Sequence, residues 1–425
     1  MIDQDQVFAK CAWRLIPFMM LLFVVNYLDR VNVGFAALTL NRELGFSPSV
    51  FGFGAGIFFA GYALSQVPVN VIIERVGANR SVFSIMAIWG LVSASTALVK
   101  GPTSFYVLRF LLGVAEAGFF PGMVLYLTLW FPRSYRARFT SIFTTAIPLA
   151  SVIGGPLSGL ILSLNGFGGL RGWQWLFLLE GLPAIFLAFA VLKWLPNGPG
   201  AAPWLSAHEK ALVVTHVERE DAAAERNLWA ALRNPRLLGI ALVAFGNAVA
   251  LYGIQLWLPQ MIKGMGFSNL ATGLITALPY SAGAAAMVLW GRSSDRRRER
   301  IWHIAIALLV AATGLGLASI AHSPLPTVLA LTIAIAGSMA YFGPFFSLPS
   351  SFLSGPAMAG GIALISTFIA LGGFAGPTLI GVIKQATGNY AAAMLVQSAG
   401  LVVATAIILM VGRAIRSREV QAARA

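Results

Sequence analysis

Apolar stretches long enough to cross a bilayer recur twelve times in this chain, at residues 13–40, 49–73, 81–99, 104–131, 139–162, 173–195, 237–262, 268–290, 301–321, 325–348, 356–383 and 390–412. About 20 apolar residues in a helix cross the hydrocarbon core. The pattern therefore predicts an all-α polytopic membrane protein with twelve transmembrane helices. Composition points the same way. The 425 residues are 58% hydrophobic and only 10% charged, against an apolar share of roughly 45–50% in soluble domains. A short polar lead, Met1 to Lys10, precedes the first stretch, which carries no small-residue cleavage site and is too long for a signal-peptide core. It is expected to stay as span 1.

Between spans 6 and 7 lies the polar segment 196–236, with His208-Glu209-Lys210, Glu218-Arg219-Glu220-Asp221 and Glu225-Arg226. It reads as a solvated, partly helical cytoplasmic linker between residues 1–195 and 237–425, six spans each. Orientation follows from the Lys and Arg residues of the connections. With the N-terminus inside, 22 of the 29 fall in inner segments, and only Arg42, Lys100, Arg171, Lys263 and Lys384 fall in outer ones. Both termini are therefore expected in the cytoplasm. The same asymmetry accounts for the net charge of +14. No soluble domain offers clustered Lys and Arg with interleaved aromatics, so nucleic acid is not an expected partner. The single Cys11 allows no internal disulfide.

The two halves repeat. Glu74-Arg75 after span 2 and Asp295-Arg296 after span 8 are offset by 221, as are Gly155-Pro156 in span 5 and Gly376-Pro377 in span 11. Two unrelated motifs at one offset point to two pseudo-symmetric six-helix bundles, an arrangement that places a binding site where the halves meet. The acid-Arg loops, with Glu74, Arg75 and Arg80 in one half and Asp295 and Arg296 in the other, suit gate latches, since a carboxylate there can pair with loop arginines and helix ends. The glycine clusters allow close helix approach.

Four ionisable residues break the apolar pattern: Asp29 and Arg30 in span 1, Arg109 and Glu116 in span 4. A charge at the bilayer centre costs about 3 kcal/mol on insertion scales, so each is a functional candidate. The offset of 221 maps them to Ala250, Leu251, Ala330 and Gly337. The scaffold is duplicated and the charge is not. By position in their spans, Asp29, Arg30 and Glu116 lie near one depth at the midplane, with Arg109 about 10 Å towards the outside. Adjacent helical residues diverge by about 100°, so Arg30 can face a central cavity while Asp29 faces a neighbouring helix, or the reverse. A guanidinium receives a carboxylate in bidentate fashion and cannot shed its proton on burial. Arg30 is accordingly the expected anion ligand. A buried carboxylate can take up a proton instead, so Asp29 and Glu116 are the expected proton carriers and Arg109 the partner that returns them to the ionised form. A static network tying span 1 to span 4 is the competing reading.

Tyr62 and Gln66 on span 2, Asn247, Tyr252 and Gln255 on span 7, Tyr341 on span 10 and Ser366 with Thr367 on span 11 are further candidates for substrate contact. Glu180 on span 6 fits packing better than a proton path. The four histidines, at 208, 216, 303 and 322, lack metal-ligand spacing. Neither a P-loop nor a nucleophile elbow occurs. No metal, no other cofactor and no enzymatic activity is expected.

The motifs Asn26-Tyr27-Leu28-Asp29-Arg30, Gln66-Val67-Pro68 before Glu74-Arg75-Val76-Gly77, Arg109 through Gly118, Trp130-Phe131-Pro132, Trp175 through Gly181 and Gly372 through Pro377 resemble the anion:cation symporter family of the major facilitator superfamily over essentially the whole chain. Within it the sequence is most similar to bacterial transporters of tartrate-like and aromatic carboxylates. The resemblance implies the major facilitator fold and proton-coupled uptake of a small organic anion by alternating access. The setting would be the bacterial inner membrane, with lipid around a monomer. It also implies that Asp29 and Glu116 take protons, Arg30 and Tyr27 hold the anion, Arg109 pairs with the acids and Tyr62 lines the cavity. Two departures stand out. Many relatives carry an Asn-Ser-x-Gly-Asn pattern in span 11, where this chain has Ser366-Thr367-Phe368-Ile369-Ala370; losing both amides favours a smaller or more aromatic anion over a hydroxyl-rich sugar acid. Asn70 also replaces a glycine of the superfamily pattern in the loop after span 2. The alternatives are a drug/proton antiporter of the same fold, which a central Arg30 opposes, and a membrane sensor that binds an anion without moving it.

Overall fold

Proline in the first turn, where its missing N–H costs nothing, opens helices at Pro48, Pro102, Pro235 and Pro324. Asn234 also caps the helix opened by Pro235, accepting from Leu237 N (3.4 Å), and Ser268 caps the helix that starts at Asn269, accepting from Ala271 N (3.1 Å). The computed structural model describes residues 4–132, 135–136, 139, 142–143, 145–218, 234–349 and 355–422. Its helices are α1 (Gln4–Glu43), α2 (Pro48–Val76), α3 (Ala78–Ser95), α4 (Pro102–Glu116), α5 (Phe119–Thr128), α6 (Ala146–Leu162), α7 (Gly172–Trp194), α8 (Ala207–Glu218), α9 (Pro235–Lys263), α10 (Asn269–Arg297), α11 (Ile301–Ile320), α12 (Pro324–Ala340), α13 (Phe342–Ser347), α14 (Gly355–Thr387) and α15 (Ala391–Ala422). Eleven helical segments among the described residues are long and apolar enough to span a membrane, and Ala146–Leu162 is a shorter twelfth. The protein is all-α and polytopic.

Several spans differ from their hydropathy limits for identifiable reasons. Span 4 bends at Ala117-Gly118, which separates α4 from α5, and span 10 bends at Tyr341, between α12 and α13. A Cβ on Gly118 would lie 2.3 Å from Val69 Cγ1, so a larger residue there must push the Val69 side chain of α2 aside. α10 runs through Arg292 and Arg296 to Arg297, where basic residues suit the negative end of the helix dipole. The polar lead before span 1 is itself helical from Gln4. Phe8 and Cys11 are buried, and Lys10 donates to Glu209 of α8 at 2.9 Å. Phe8 also packs 4.8 Å from the Tyr135 ring and 6.2 Å from the His216 ring. The linker helix α8 thus straps onto the start of α1. Residues 219–233 of the linker, including Glu220, Asp221 and Glu225, lie outside the described residues.

The helices cluster into two compact units, one of residues 1–32, 61–151 and 164–223, the other of residues 33–60, 152–163 and 224–425. Within the second unit the repeat reappears as geometry. A Cβ on Gly52 of α2 would lie 2.6 Å from the Pro377 carbonyl oxygen of α14, and one on Gly273 of α10 would lie 2.2 Å from the Gly155 carbonyl oxygen of α6. Positions 52 and 273 are again 221 apart. The two glycine crossings correspond with a shift of one residue in the partner helix, since Gly155 and Pro377 are 222 apart, and both set backbone against backbone, as small-residue packing between membrane helices requires. Ala250, Leu251 and Ala330, the counterparts of the charged residues, are buried, and a Cβ on Gly337 would lie 2.5 Å from Ala311 N. The duplicated positions are filled by close packing.

Two outcomes follow. Gly273→Val should lower the melting temperature of the detergent-purified protein, by the equivalent of about 1–3 kcal/mol of overpacking. Gly400→Ala, where a Cβ meets nothing within 4 Å, should leave it unchanged; equal melting of both variants would contradict the crossing. Lys10 and the backbone N–H of Ser206 hold the Glu209 carboxyl below its ordinary range. A depressed carboxylate adds stability above its unfolded pKa and loses it as pH falls through the folded one. Hydrogen exchange in 207–218, corrected for intrinsic rate, should therefore stay constant from pH 8 to about 5 and accelerate below about 4.

Candidate functional site

In the first unit, α1, α2, α3 and α4 bring the four intramembrane charges together. α2 meets α4 at Gly61, where a Cβ would lie 2.3 Å from the Phe110 carbonyl oxygen. That contact sets Tyr62 beside the helix carrying Arg109, Gly113 and Glu116. Arg30 of α1 reaches Glu116 of α4 and gives it two hydrogen bonds, Nη2 to Oε2 at 2.8 Å and Nε to Oε2 at 3.2 Å. The Arg30 guanidinium also stands 5.2 Å from the centre of the Tyr62 ring, within cation–π range. Both bonds fall on one oxygen. Glu116 Oε1 is buried with no hydrogen-bond partner among the described residues. The Arg30 side chain keeps 13% exposure whereas that of Glu116 has none, so Arg30 is the accessible member of the pair.

Asp29 faces elsewhere, as the 100° step along α1 requires. Its Oδ1 accepts from Asn32 Nδ2 at 2.9 Å and from the Ser93 hydroxyl of α3. Its Oδ2 is buried without a hydrogen bond among the described residues. Each carboxylate therefore has one hydrogen-bonded oxygen and one that makes no hydrogen bond among the described residues, with the Asn26 side chain interacting with Glu116. Arg109 is buried to 1% exposure and interacts electrostatically with Glu116, Asp29 and Arg30. With two acids ionised and two guanidinium groups, the cluster sums to zero charge. Asn26 and Tyr27 are buried on α1, and Gln66, one turn beyond Tyr62, is partly buried.

The remaining candidates lie in other surroundings. In the second unit Asn247 Nδ2 donates to the Ser338 carbonyl at 3.4 Å, and Tyr252 packs against Phe59 with ring centres 4.5 Å apart. Tyr341 stacks on Phe345 at 4.4 Å, Gln255 is buried and Ser366 is partly buried. Asp295 pairs with Arg300 at 2.7 Å, while Arg296 joins Arg292 and Arg297 around a surface cavity of about 300 Å³. Arg75 and Arg80 are exposed; the Glu74 side chain lies outside the description. Sequence reasoning missed Ser93 and Asn32. Asn32 stands three residues after Asp29, a spacing that marks one helix face, so it carried a readable signal. Nothing in the sequence connects Ser93 to Asp29.

A mostly apolar chain with its buried charges gathered on facing spanning helices defines a multi-pass membrane protein built around a polar site. The sequence profile of the Major Facilitator Superfamily matches residues 19–377, and the chain belongs to that superfamily. It is 49% identical over 411 residues, 96% of this chain and 95% of the other, to an Agrobacterium vitis protein provisionally named a tartrate transporter. Over 95% of the chain and 94% of the relative it is 39% identical to a Pseudomonas putida protein provisionally named metabolite transport protein NicT. A bacterial homologue of the human lysosomal transporter Spinster, in an inward-facing, unoccupied conformation, superposes with TM-score 0.79 at 19% identity, over 95% of this chain and 97% of that one. The chain is a transporter of that superfamily, not an enzyme.

Breaking the Arg30–Glu116 pair from one side leaves a buried charge unmatched, which costs about 3–5 kcal/mol. Arg30→Ala should destabilise the purified protein by that order, and adding Glu116→Gln should restore much of the loss. Strict additivity in a thermal-melt double-mutant cycle would mean that the two groups do not interact.

Proposed function

We propose that this transporter is a proton-coupled symporter that carries a small organic carboxylate, a tartrate-like hydroxy acid or an aromatic acid, into the cytoplasm. It works as a monomer in lipid of the bacterial inner membrane, with both termini inside. Residues 1–195 and 237–425 are the two halves that exchange access around the site, joined by the linker 196–236, and the acid-Arg pairs Glu74-Arg75 and Asp295-Arg296, in the last turns of α2 and α10, belong to the gate.

The observation that carries the reading is the Arg30–Glu116 ion pair, in which both bonds fall on Oε2, Oε1 accepts none among the described residues, and Arg30 is the accessible member. Arg30 can exchange one carboxylate for another. A proton arriving on Glu116 Oε1 removes the internal competitor, and the substrate carboxylate then takes the two N–H donors that Glu116 held. Tyr62 supports the guanidinium through its ring face, and Tyr27 lies on the same helix. Arg109 makes ionised Glu116 and Asp29 favourable again once substrate has left. Charge balance sets the stoichiometry. The cluster is neutral when empty, and desolvated net charge is expensive, so each substrate carboxylate calls for one proton. Two acids suffice for a dicarboxylate. The names of the relatives support this class of substrate. So does the replacement of the span 11 amides by Ser366 and Ala370, which leaves fewer groups for a hydroxyl-rich sugar acid. A drug/proton antiporter would need an acid free to meet a cation, and here Arg30 occupies Glu116.

Purified protein in liposomes should accumulate tartrate or an aromatic acid when the external side is acidified. Arg30→Ala should abolish substrate binding measured by calorimetry. Glu116→Gln should retain tartrate exchange and lose accumulation driven by the gradient. Uptake of every tested carboxylate that ignores the gradient would defeat the symport reading, and concentration of substrate by Glu116→Gln would remove Glu116 from the coupling.

A further inference from the structure

The two acids of the cluster have different surroundings. Glu116 is held by Arg30, the group that meets substrate, whereas Asp29 points into the seam between α1 and α3. There two neutral donors, Ser93 Oγ–H and Asn32 Nδ2–H, converge on Oδ1, and all three residues are nearly or fully buried. The seam is tight. α3 packs along α7, and a Cβ on Gly181 of α7 would lie 2.9 Å from Ser93 Oγ and 3.0 Å from Ser93 Cβ. Gly181 thus leaves the space that the Ser93 side chain needs, and the Ser93 hydroxyl holds Asp29 Oδ1. The bare oxygen Oδ2 remains as the place for a proton.

We propose that Ser93 is the positioning residue of a proton site at Asp29 that is separate from the anion subsite at Arg30 and Glu116. The proposal rests on the symport reading above and assigns its two protons to two distinct environments. Both donors bond the carboxylate and remain on Oδ1 when the proton binds Oδ2, so they support the charged form more than the neutral one. Removing one of them makes the proton easier to take and harder to give up. The charged groups facing Asp29 are Glu116 and Arg109 of α4, and Arg30 is its neighbour on α1; Glu180 lies buried on α7 next to Gly181. Ser93 and Asn32 can therefore be changed without touching any charge of the cluster.

The test is the pH profile of gradient-driven tartrate uptake by the full-length protein in liposomes. A hydrogen bond to a charged group corresponds to about one pH unit. In Ser93→Ala the midpoint of the profile should move to higher pH by about that amount. Ser93→Thr should return it towards wild type, and Asn32→Ala should move it the same way as Ser93→Ala. A merely structural role for Ser93 would lower the rate at every pH and leave the midpoint in place. An unmoved midpoint, or one displaced to lower pH, overturns the proposal. Wild-type uptake that ignores the proton gradient would defeat the symport reading itself, and that failure is visible before any variant is made.

Discussion

Charge cannot be left uncompensated in the interior of a membrane protein, and the Arg30–Glu116 bond is where this chain meets that constraint. Two acids and two guanidinium groups sum to zero in a first unit whose other described buried residues, Glu180 of α7 apart, carry no charge. Under the proposed symport, an arriving anion disturbs the balance and a proton restores it. Coupling of that kind needs no dedicated relay, because each species corrects the charge that the other introduces.

The rest of the fold holds this cluster while leaving it able to change partners. Gly61 seats α2 directly on α4, so Tyr62 supports Arg30 from a fixed backbone. Arg109 is buried deeper than Arg30 and interacts with both acids. Asp29 is turned into the seam with α3 and held there by neutral donors. In the second half of the sequence the equivalent positions are Ala250, Leu251, Ala330 and Gly337, and packing fills them. Duplication supplied two copies of a scaffold, and the ionisable cluster was placed in one.

Hydropathy alone displayed the spans, because membrane helices must be continuously apolar over a known length. Their ends were harder to read. The helical start at Gln4 depends on Phe8 packing against the Tyr135 and His216 rings, and the bend at Ala117-Gly118 depends on Val69 lying against Gly118, contacts that hydropathy does not encode. The four charges identified themselves by their cost. Their pairing did not: the helical wheel left open which of Asp29 and Arg30 faces which neighbour, and Glu116 meets Arg30 directly where Arg109 was its expected partner. Ser93 was illegible, since one hydroxyl among small residues of span 3 looks like any packing serine until α3 is laid against α1. The glycine crossings at 52 and 273 share the 221 offset, yet only the contacts with Pro377 and Gly155 show that both ends of the repeat make corresponding joints, shifted by one residue in the partner helix.

The central claim is that a proton on Glu116 releases Arg30 to the substrate, and proton uptake on binding reads it directly. Tartrate added to purified, weakly buffered protein at pH 8 with a pH-sensitive dye should draw about one proton from solution for each carboxylate bound, and Glu116→Gln should draw one fewer. Tartrate binding with no proton uptake, or with the same uptake in Glu116→Gln, would contradict it.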